Sequence, residues 1–255
     1  MKVSRNILLV LAIVGAVFLV SMLNSLPASV AIRQIDKRVP VTQRAFHLKM
    51  ATGTVWAGRG WLTFEGQGGE LTWRAAPLGL LRGALPVSLE LVAPDLQVQA
   101  ELAFSVGGDA QLRSGAGRIG LQRLEPLLQR HAIRISGDVV MTQAAALVGL
   151  RQGWPSEADA RFEWAGGEVA FPLAGNQRTA QLPPLKGALT LQDEELVMLV
   201  DLASSGSNLL EIRLQRDLVA RINVRRRLLD ELGLPWSQQS DADTVVFRVQ
   251  QRLTR

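Results

Sequence analysis

The sequence predicts a mainly β protein: an N-terminal transmembrane helix, then a largely antiparallel β-sheet body with two or three short helices. Three observations predict it. Apolar side chains recur at every second position through much of the chain, glycine and proline punctuate those runs, and residues 7–23 carry no charge. Successive strand side chains point to opposite faces, so a period of two with one apolar and one polar set marks a sheet covered on one face.

The uncharged stretch comes first. Lys2 and Arg5 precede it, Ser21 is its one hydrophilic residue before Asn24, and the absence of charge extends through Pro27 to Ala31. About twenty apolar residues span a bilayer core. Cations ahead of the span put the N-terminus in the cytoplasm and everything after Pro27 outside, in the periplasm of a Gram-negative cell. Ser29-Val30-Ala31 would suit a signal peptidase, but the apolar run exceeds a usual signal core, and a retained anchor is expected. Residues 1–31 are thus read as a cytoplasmic tip and anchor. Residues 32–45, charged and interrupted by Pro40, form a linker, and residues 46–255 form a periplasmic β-rich domain. A single-pass inner-membrane protein follows.

In the body the alternation is clearest where Leu96, Val98, Ala100, Leu102, Phe104 and Val106 interleave with Gln97, Gln99, Glu101, Ala103 and Ser105. Val87-Leu89-Leu91, Leu210-Ile212-Leu214, Leu218-Ala220-Ile222-Val224 and Val245-Phe247-Val249 repeat it. Turns are expected at Gly66-Gln67-Gly68-Gly69, Gly107-Gly108, Gly166-Gly167 and Pro183-Pro184. Helical spacing is confined to Leu121, Leu124, Leu127 and Leu128, ending near His131, and to residues 226–232, stopped by Gly233 and Pro235. Residues 143–150 fit either period. The halves rhyme: Leu71-Thr72-Trp73 and Phe162-Glu163-Trp164 each precede a Gly-Ala-Leu opening, at Gly83 and at Gly187. An open groove, a sandwich and a duplicated unit all fit this pattern.

Composition excludes several chemistries. The chain has no cysteine, which removes disulfides, thiol catalysis and thiolate metal sites, and it has no tyrosine. The net charge of +5 comes from arginines scattered among acids, not the one-sided basic face of a nucleic-acid binder.

The motifs that could carry chemistry fail on context. Gly115-Ala116-Gly117-Arg118-Ile119-Gly120 fits a dinucleotide fingerprint, with Asp138 about twenty residues on. The preceding residues are polar, however, and no βαβ alternation surrounds it, so a glycine-rich turn is expected. The two histidines, His47 and His131, are far apart and in no paired-ligand spacing. No Gly-x-Ser-x-Gly elbow exists, and Ser205-Gly206-Ser207 reads as a hairpin turn. Asp193-Glu194-Glu195 sits between two strands as a charged turn. No catalytic residue, metal or cofactor is assigned, and an enzyme is not expected.

Two features remain as candidate contacts. Trp56, Trp61 and Trp73 crowd one region and Trp164 stands in a later strand; such rings are sheet core or line a groove for a partner or lipid chain. Arg225, Arg226 and Arg227 open a short helix, where cations oppose the dipole; they are a solvated turn or a contact for lipid phosphate or an acidic partner.

One family matches these elements in order. The span ending in Leu26-Pro27-Ala28, the Gly53-Thr54-Val55-Trp56-Ala57-Gly58 element, and Leu71-Thr72-Trp73 with Pro77 and Leu80-Leu81-Arg82-Gly83 resemble the type II secretion system protein N family. Ile135-Ser136-Gly137-Asp138-Val139, Trp154-Pro155, Phe162-Glu163-Trp164-Ala165-Gly166-Gly167 and residues 182–189 continue the resemblance, with Ala160 departing from an expected glycine. The resemblance implies an accessory inner-membrane role in secreting folded proteins from the periplasm. It also implies other secretion-machine subunits as partners, no enzymatic activity, and a curved antiparallel sheet with one apolar face. Two functions follow from the sequence: an interaction subunit of the secretion machine, or a β-groove that binds or transfers membrane lipid. Neither involves nucleic acid or a small-molecule substrate.

Overall fold

The structure, a computed structural model, describes residues 27–28, 46–64, 67–129, 132–173, 176–234 and 240–252. The expected anchor (apart from Pro27 and Ala28), the linker and His131 lie outside these residues. Among the described residues no helix is long and apolar enough to cross a membrane.

Sixteen strands follow one another: β1 (Phe46–Gly53), β2 (Ala57–Phe64), β3 (Gln67–Ala75), β4 (Ala84–Ala93), β5 (Leu96–Ser105), β6 (Asp109–Gly120), β7 (Arg134–Ile135), β8 (Asp138–Gly149), β9 (Pro155–Trp164), β10 (Gly167–Leu173), β11 (Asn176–Leu182), β12 (Leu185–Gln192), β13 (Glu195–Leu202), β14 (Asn208–Leu214), β15 (Val219–Arg225) and β16 (Val245–Arg252). Short helices interrupt them: a 3-10 helix at Pro77–Arg82, a 3-10 turn at Leu121–Leu124 continued by α1 (Glu125–Leu128), and α2 (Arg226–Glu231).

Thirteen strands form one antiparallel sheet in the order β1-β2-β3-β4-β5-β6-β8-β9-β12-β13-β14-β15-β16. It is a meander with two excursions into a separate three-stranded sheet: β7 between β6 and β8, and β10 and β11 between β9 and β12, paired in the order β11-β10-β7. Most connections are tight because strand register leaves little chain between them. The Asp193-Glu194 turn holds both residues at positive φ, 49° and 65°, as a two-residue hairpin whose twist matches its strands requires.

Register fixes the faces, because directly opposed residues in an antiparallel pair share a side. Trp73 opposes Leu89, Leu89 opposes Ala100, and the row continues through Gly115, Ala144, Ala160, Leu189, Met198, Ile212 and Ile222 to Val249. One face is therefore apolar along this row across the strands from β3 to β16, and the row ends on Gly58 of β2 and Gly53 of β1. The other face carries Thr72, Ser88, Glu101, Arg161, Lys186, Arg221 and their neighbours.

The cluster of buried apolar residues sits at one end of this sheet. Leu121, Trp164 and Leu182 are buried together, with Ile135, Val139, Val169, Leu185, Leu228 and Leu232 packed around them. These come from the 3-10 turn after β6, the ends of β9 and β11, the starts of β8 and β12, from β7 and β10, and from α2 and the residue after it. Arg123 ties the same end down: its guanidinium donates to Gln67 Oε1 at 3.0 Å and to the Gly68 carbonyl at 2.9 Å, and pairs with Asp95 at 3.1 Å.

Several expectations need correction. The Gly115–Gly120 fingerprint is not a turn: it lies inside strand β6. A Cβ on Gly117 would come within 2.5 Å of the Gln97 carbonyl, so its glycine serves close strand packing. Gly68 and Gly69 likewise belong to β3, Gly167 starts β10, and residues 143–149 are strand. The proline-containing stretch after Trp73 is helical, of the 3-10 kind. Both tryptophan strands do pair with the Gly-Ala-Leu strand that follows. Trp73 opposes Leu89, past that element, and Trp164 opposes Leu185, before it. The register of a simple repeat is not kept.

Candidate functional site

The four candidate tryptophans do not converge. Trp73 and Trp164 lie on the apolar face but near opposite ends of the sheet. Trp61 opposes Glu70 and Lys49 on the polar face and is 40% exposed. Trp56 sits in the β1–β2 turn.

Each strand ring instead lies against glycine. A Cβ on Gly58 would meet Trp73 at 2.5 Å, one on Gly68 would meet Trp61 at 2.3 Å, and one on Gly137 would meet Trp164 at 2.7 Å. Phe162 covers Gly187 in the same way, at 2.3 Å. An aromatic laid over a glycine restores the side-chain cover that the glycine lacks. Two of the rings also pin loops. The Trp73 indole donates to the Thr54 carbonyl at 3.1 Å, and the Trp164 indole to the Ser136 carbonyl at 3.0 Å. Trp73 thereby holds the Gly53–Gly58 element, in which Gly53 takes φ +90° and Thr54 Oγ1 accepts from the Ala57 amide at 3.1 Å.

The arginine run is engaged within the molecule. Arg225 donates to Asn208 Oδ1 and to the Asp243 carbonyl, both at 2.7 Å. Arg226 donates to the Ser240 carbonyl and pairs with Asp230 at 3.6 Å, and Arg227 pairs with Asp243 at 2.9 Å. The amides of Arg226 and Arg227 bond to the Thr244 and Ala242 carbonyls. The run clamps residues 240–244 against the end of β15, so that β16 can enter the sheet. On the polar face nearby, hydrogen bonding to Glu211 raises the Arg213 pKa further above its ordinary value.

The apolar face is covered without being sealed. Leu89, Leu102, Phe104, Leu189, Ile212 and Ile222 are each half-buried. The fully buried large side chains are Val197, on the opposite face, and Leu209, at the β13–β14 bulge. A cavity of about 700 Å³ opens on the polar side, where Arg74, Glu90, Gln99, Glu101, Arg113 and Gln143 line it, a set unsuited to an acyl chain. Among the described residues no three His, Asp or Glu side chains gather as metal ligands. Arg118 of the glycine motif pairs across strands with Asp138.

Sequence reasoning found turns at Gly107-Gly108 and Asp193-Glu194 but missed the exposed apolar side chains at the end opposite the core. Met50, Leu78, Leu81 and Val106 are each at least three-quarters exposed there, with Leu80 and Leu150 beside them. The available signal was Pro77-Leu78-Gly79-Leu80-Leu81-Arg82, a leucine-rich stretch with no period of two.

Neither the curated proteins nor the solved structures match this chain. Residues 45–228 match the family described as Type II secretion system (T2SS), protein N. That span takes in β1 to β15 and enters α2. The meander up to β15, its tryptophan staples and Leu121, Trp164 and Leu182 of the core thus fall inside the match, and the chain belongs to the type II secretion system protein N family, part of the type II secretion machinery.

Proposed function

We propose that the protein is an inner-membrane accessory component of type II secretion. Residues 1–31 anchor it with the N-terminus in the cytoplasm, and the β domain is held in the periplasm for other secretion-machine subunits. The observation that carries this reading is the family match over residues 45–228. The sheet supports it physically. Among the described residues β1 and β16 each have a strand on one side only. An open edge is a template for an added strand. β16 carries Arg248 and Arg252 on the polar side and Val249 on the apolar side. The role is one of binding, with no catalysis.

The test is to delete the gene and to purify the tagged full chain after crosslinking in cells. Secretion should fall and neighbouring inner-membrane subunits should co-purify. Normal secretion together with empty pull-downs rejects the proposal.

A second reading, a groove that binds or transfers envelope lipid, is favoured by one observation: the apolar face from β3 to β16 keeps its large side chains half-buried. Such a face shelters acyl chains if its rim admits them. Mass spectrometry of mildly extracted protein should then find bound phospholipid. Lipid-free protein that also takes up none from vesicles removes this reading.

A further inference from the structure

The exposed apolar side chains of the turns are not scattered. The end of the sheet opposite the core carries, in order, the β1–β2 turn, the 3-10 connection at Pro77–Arg82, the β5–β6 turn and the β8–β9 turn, followed by the β12–β13 and β14–β15 turns. Backbone hydrogen bonds stitch the first four into one row. The Ala75 amide bonds to the Trp56 carbonyl, the Val106 amide to the Gly83 carbonyl, and the Leu150 amide to the Gly108 carbonyl. Along this row stand Leu78 at 77%, Leu81 at 85%, Val106 at 75% and Leu150 at 58% exposure, with Arg82 and Arg151 among them. Met50, in the β1 bulge just before the first turn, continues it at 77%.

A second observation says what covers them. Pro27 pairs with Thr54 in an isolated antiparallel bridge, and Ala28 beside it is buried. Thr54 lies in the first turn of the row. Pro27 follows closely on the apolar run of residues 7–23, which is about long enough to span a bilayer core, and lies inside the uncharged stretch that extends to Ala31. Only Asn24, Ser25 and Leu26 therefore separate the end of that run from the residue bridged to the row of turns. The start of β1, at Phe46, is the end of that strand farther from Pro27, about 25 Å from its other end at about 3.3 Å per residue.

We propose that this row of turns rests on the bilayer that holds the anchor, with Leu78, Leu81 and Val106 dipping into the headgroup–acyl boundary. Apolar side chains flanked by arginines suit that boundary, where cations meet lipid phosphate and indoles sit at headgroup depth. The acidic Asp193-Glu194 turn, whose Glu194 carbonyl accepts from the Trp154 indole at 3.0 Å, marks where the row ends. The sheet then stands with its packed end pointing away from the membrane. This rests on the anchor in the proposed function, and the experiment separates the two.

The chain has no cysteine, so single cysteines can be labelled cleanly. Full-length Leu81→Cys and Val106→Cys carry an environment-sensitive fluorophore in phosphatidylethanolamine–phosphatidylglycerol vesicles containing spin-labelled lipid. Val92→Cys and Leu173→Cys, exposed sites away from the row, serve as references. Labels at 81 and 106 should shift to the blue and lose most of their emission to the lipid quencher, while those at 92 and 173 should keep theirs. Protein retained after alkaline carbonate washing but unquenched at both 81 and 106 overturns the proposal and leaves the anchor standing. Quenching at 92 in place of 81 overturns it by reversing the orientation. Shielding at 81 that appears only with other secretion subunits, without lipid quenching, overturns it in favour of a protein contact. Release by carbonate refutes the anchor and the proposal with it.

Discussion

The two ends of the thirteen-stranded sheet are built on different terms. At the packed end the chain makes its long connections: β6 to β8 through the 3-10 turn, α1 and β7; β9 to β12 through the β10–β11 hairpin; β15 to β16 through α2. These excursions form a second layer, and its Leu121 and Leu182 are buried together with Trp164 of the large sheet. At the turn end the connections are tight or a single 3-10 helix, and the leucines there have nothing among the described residues to lie under. A sheet covers its terminal side chains best with chain left over between strands, and among the described residues the longest such connections lie at the packed end.

Trp73 and Trp164 make the difference measurable. Both lie over glycine, and both donate an indole N–H to the carbonyl of a loop. The local device is the same, but Trp164 is 6% exposed under the second layer whereas Trp73 is half-buried. Trp164→Ala should cause the largest loss, about 3–5 kcal/mol, as removal of a buried aromatic typically does. In a thermal scan of the full chain in mild detergent this should lower Tm by about 2–4 °C per kcal/mol. A loss no greater than that of Trp73→Ala would break the comparison, since it would mean the packed end contributes no more than the turn end.

A finer cut at Trp73 separates ring from hydrogen bond. Trp73→Phe keeps a ring over Gly58 but removes the donor to Thr54, and should destabilise by about 1 kcal/mol, the ordinary net worth of one such bond. Because Thr54 also bridges to Pro27, hydrogen exchange should quicken at the Thr54 and Ala57 amides before it quickens anywhere in the core. Unchanged exchange at those amides would show that the turn holds itself without the indole.

Much of this architecture could be read from the residues, and the failures have physical causes. Alternation in 96–106 is local, so β5 and its apolar face could be read directly, as could the hairpin turns at Asp193-Glu194 and Ser205-Gly206-Ser207. Gly115 and Gly117 misled because glycine marks turns and close strand approach alike; only the position of Gln97 on the neighbouring strand decides between them. The partners of Arg225–Arg227 arrive from residues 240–244, and no spacing in the run announces them. Trp61 and Trp73 looked like one cluster because they are close in sequence. They occupy different strands with opposite parity, so their rings emerge on opposite faces.

That parity sets up the smallest effect. Trp61 covers Gly68 beside the sheet edge, on the polar face, with 40% of its surface in solvent. A cross-strand pair of this kind is worth about 0.2–1 kcal/mol, so Trp61→Ala should cost less than about 1 kcal/mol and leave secretion unchanged. Its readouts are Tm and secretion measured together, because each alone is ambiguous. A large fall in Tm would mean that the edge at β2 carries core weight and that the two ends differ less than their burial implies. An unchanged Tm with secretion lost would move the partner contact to the polar face at β2, since the ring would then act by touching another molecule and not by covering glycine.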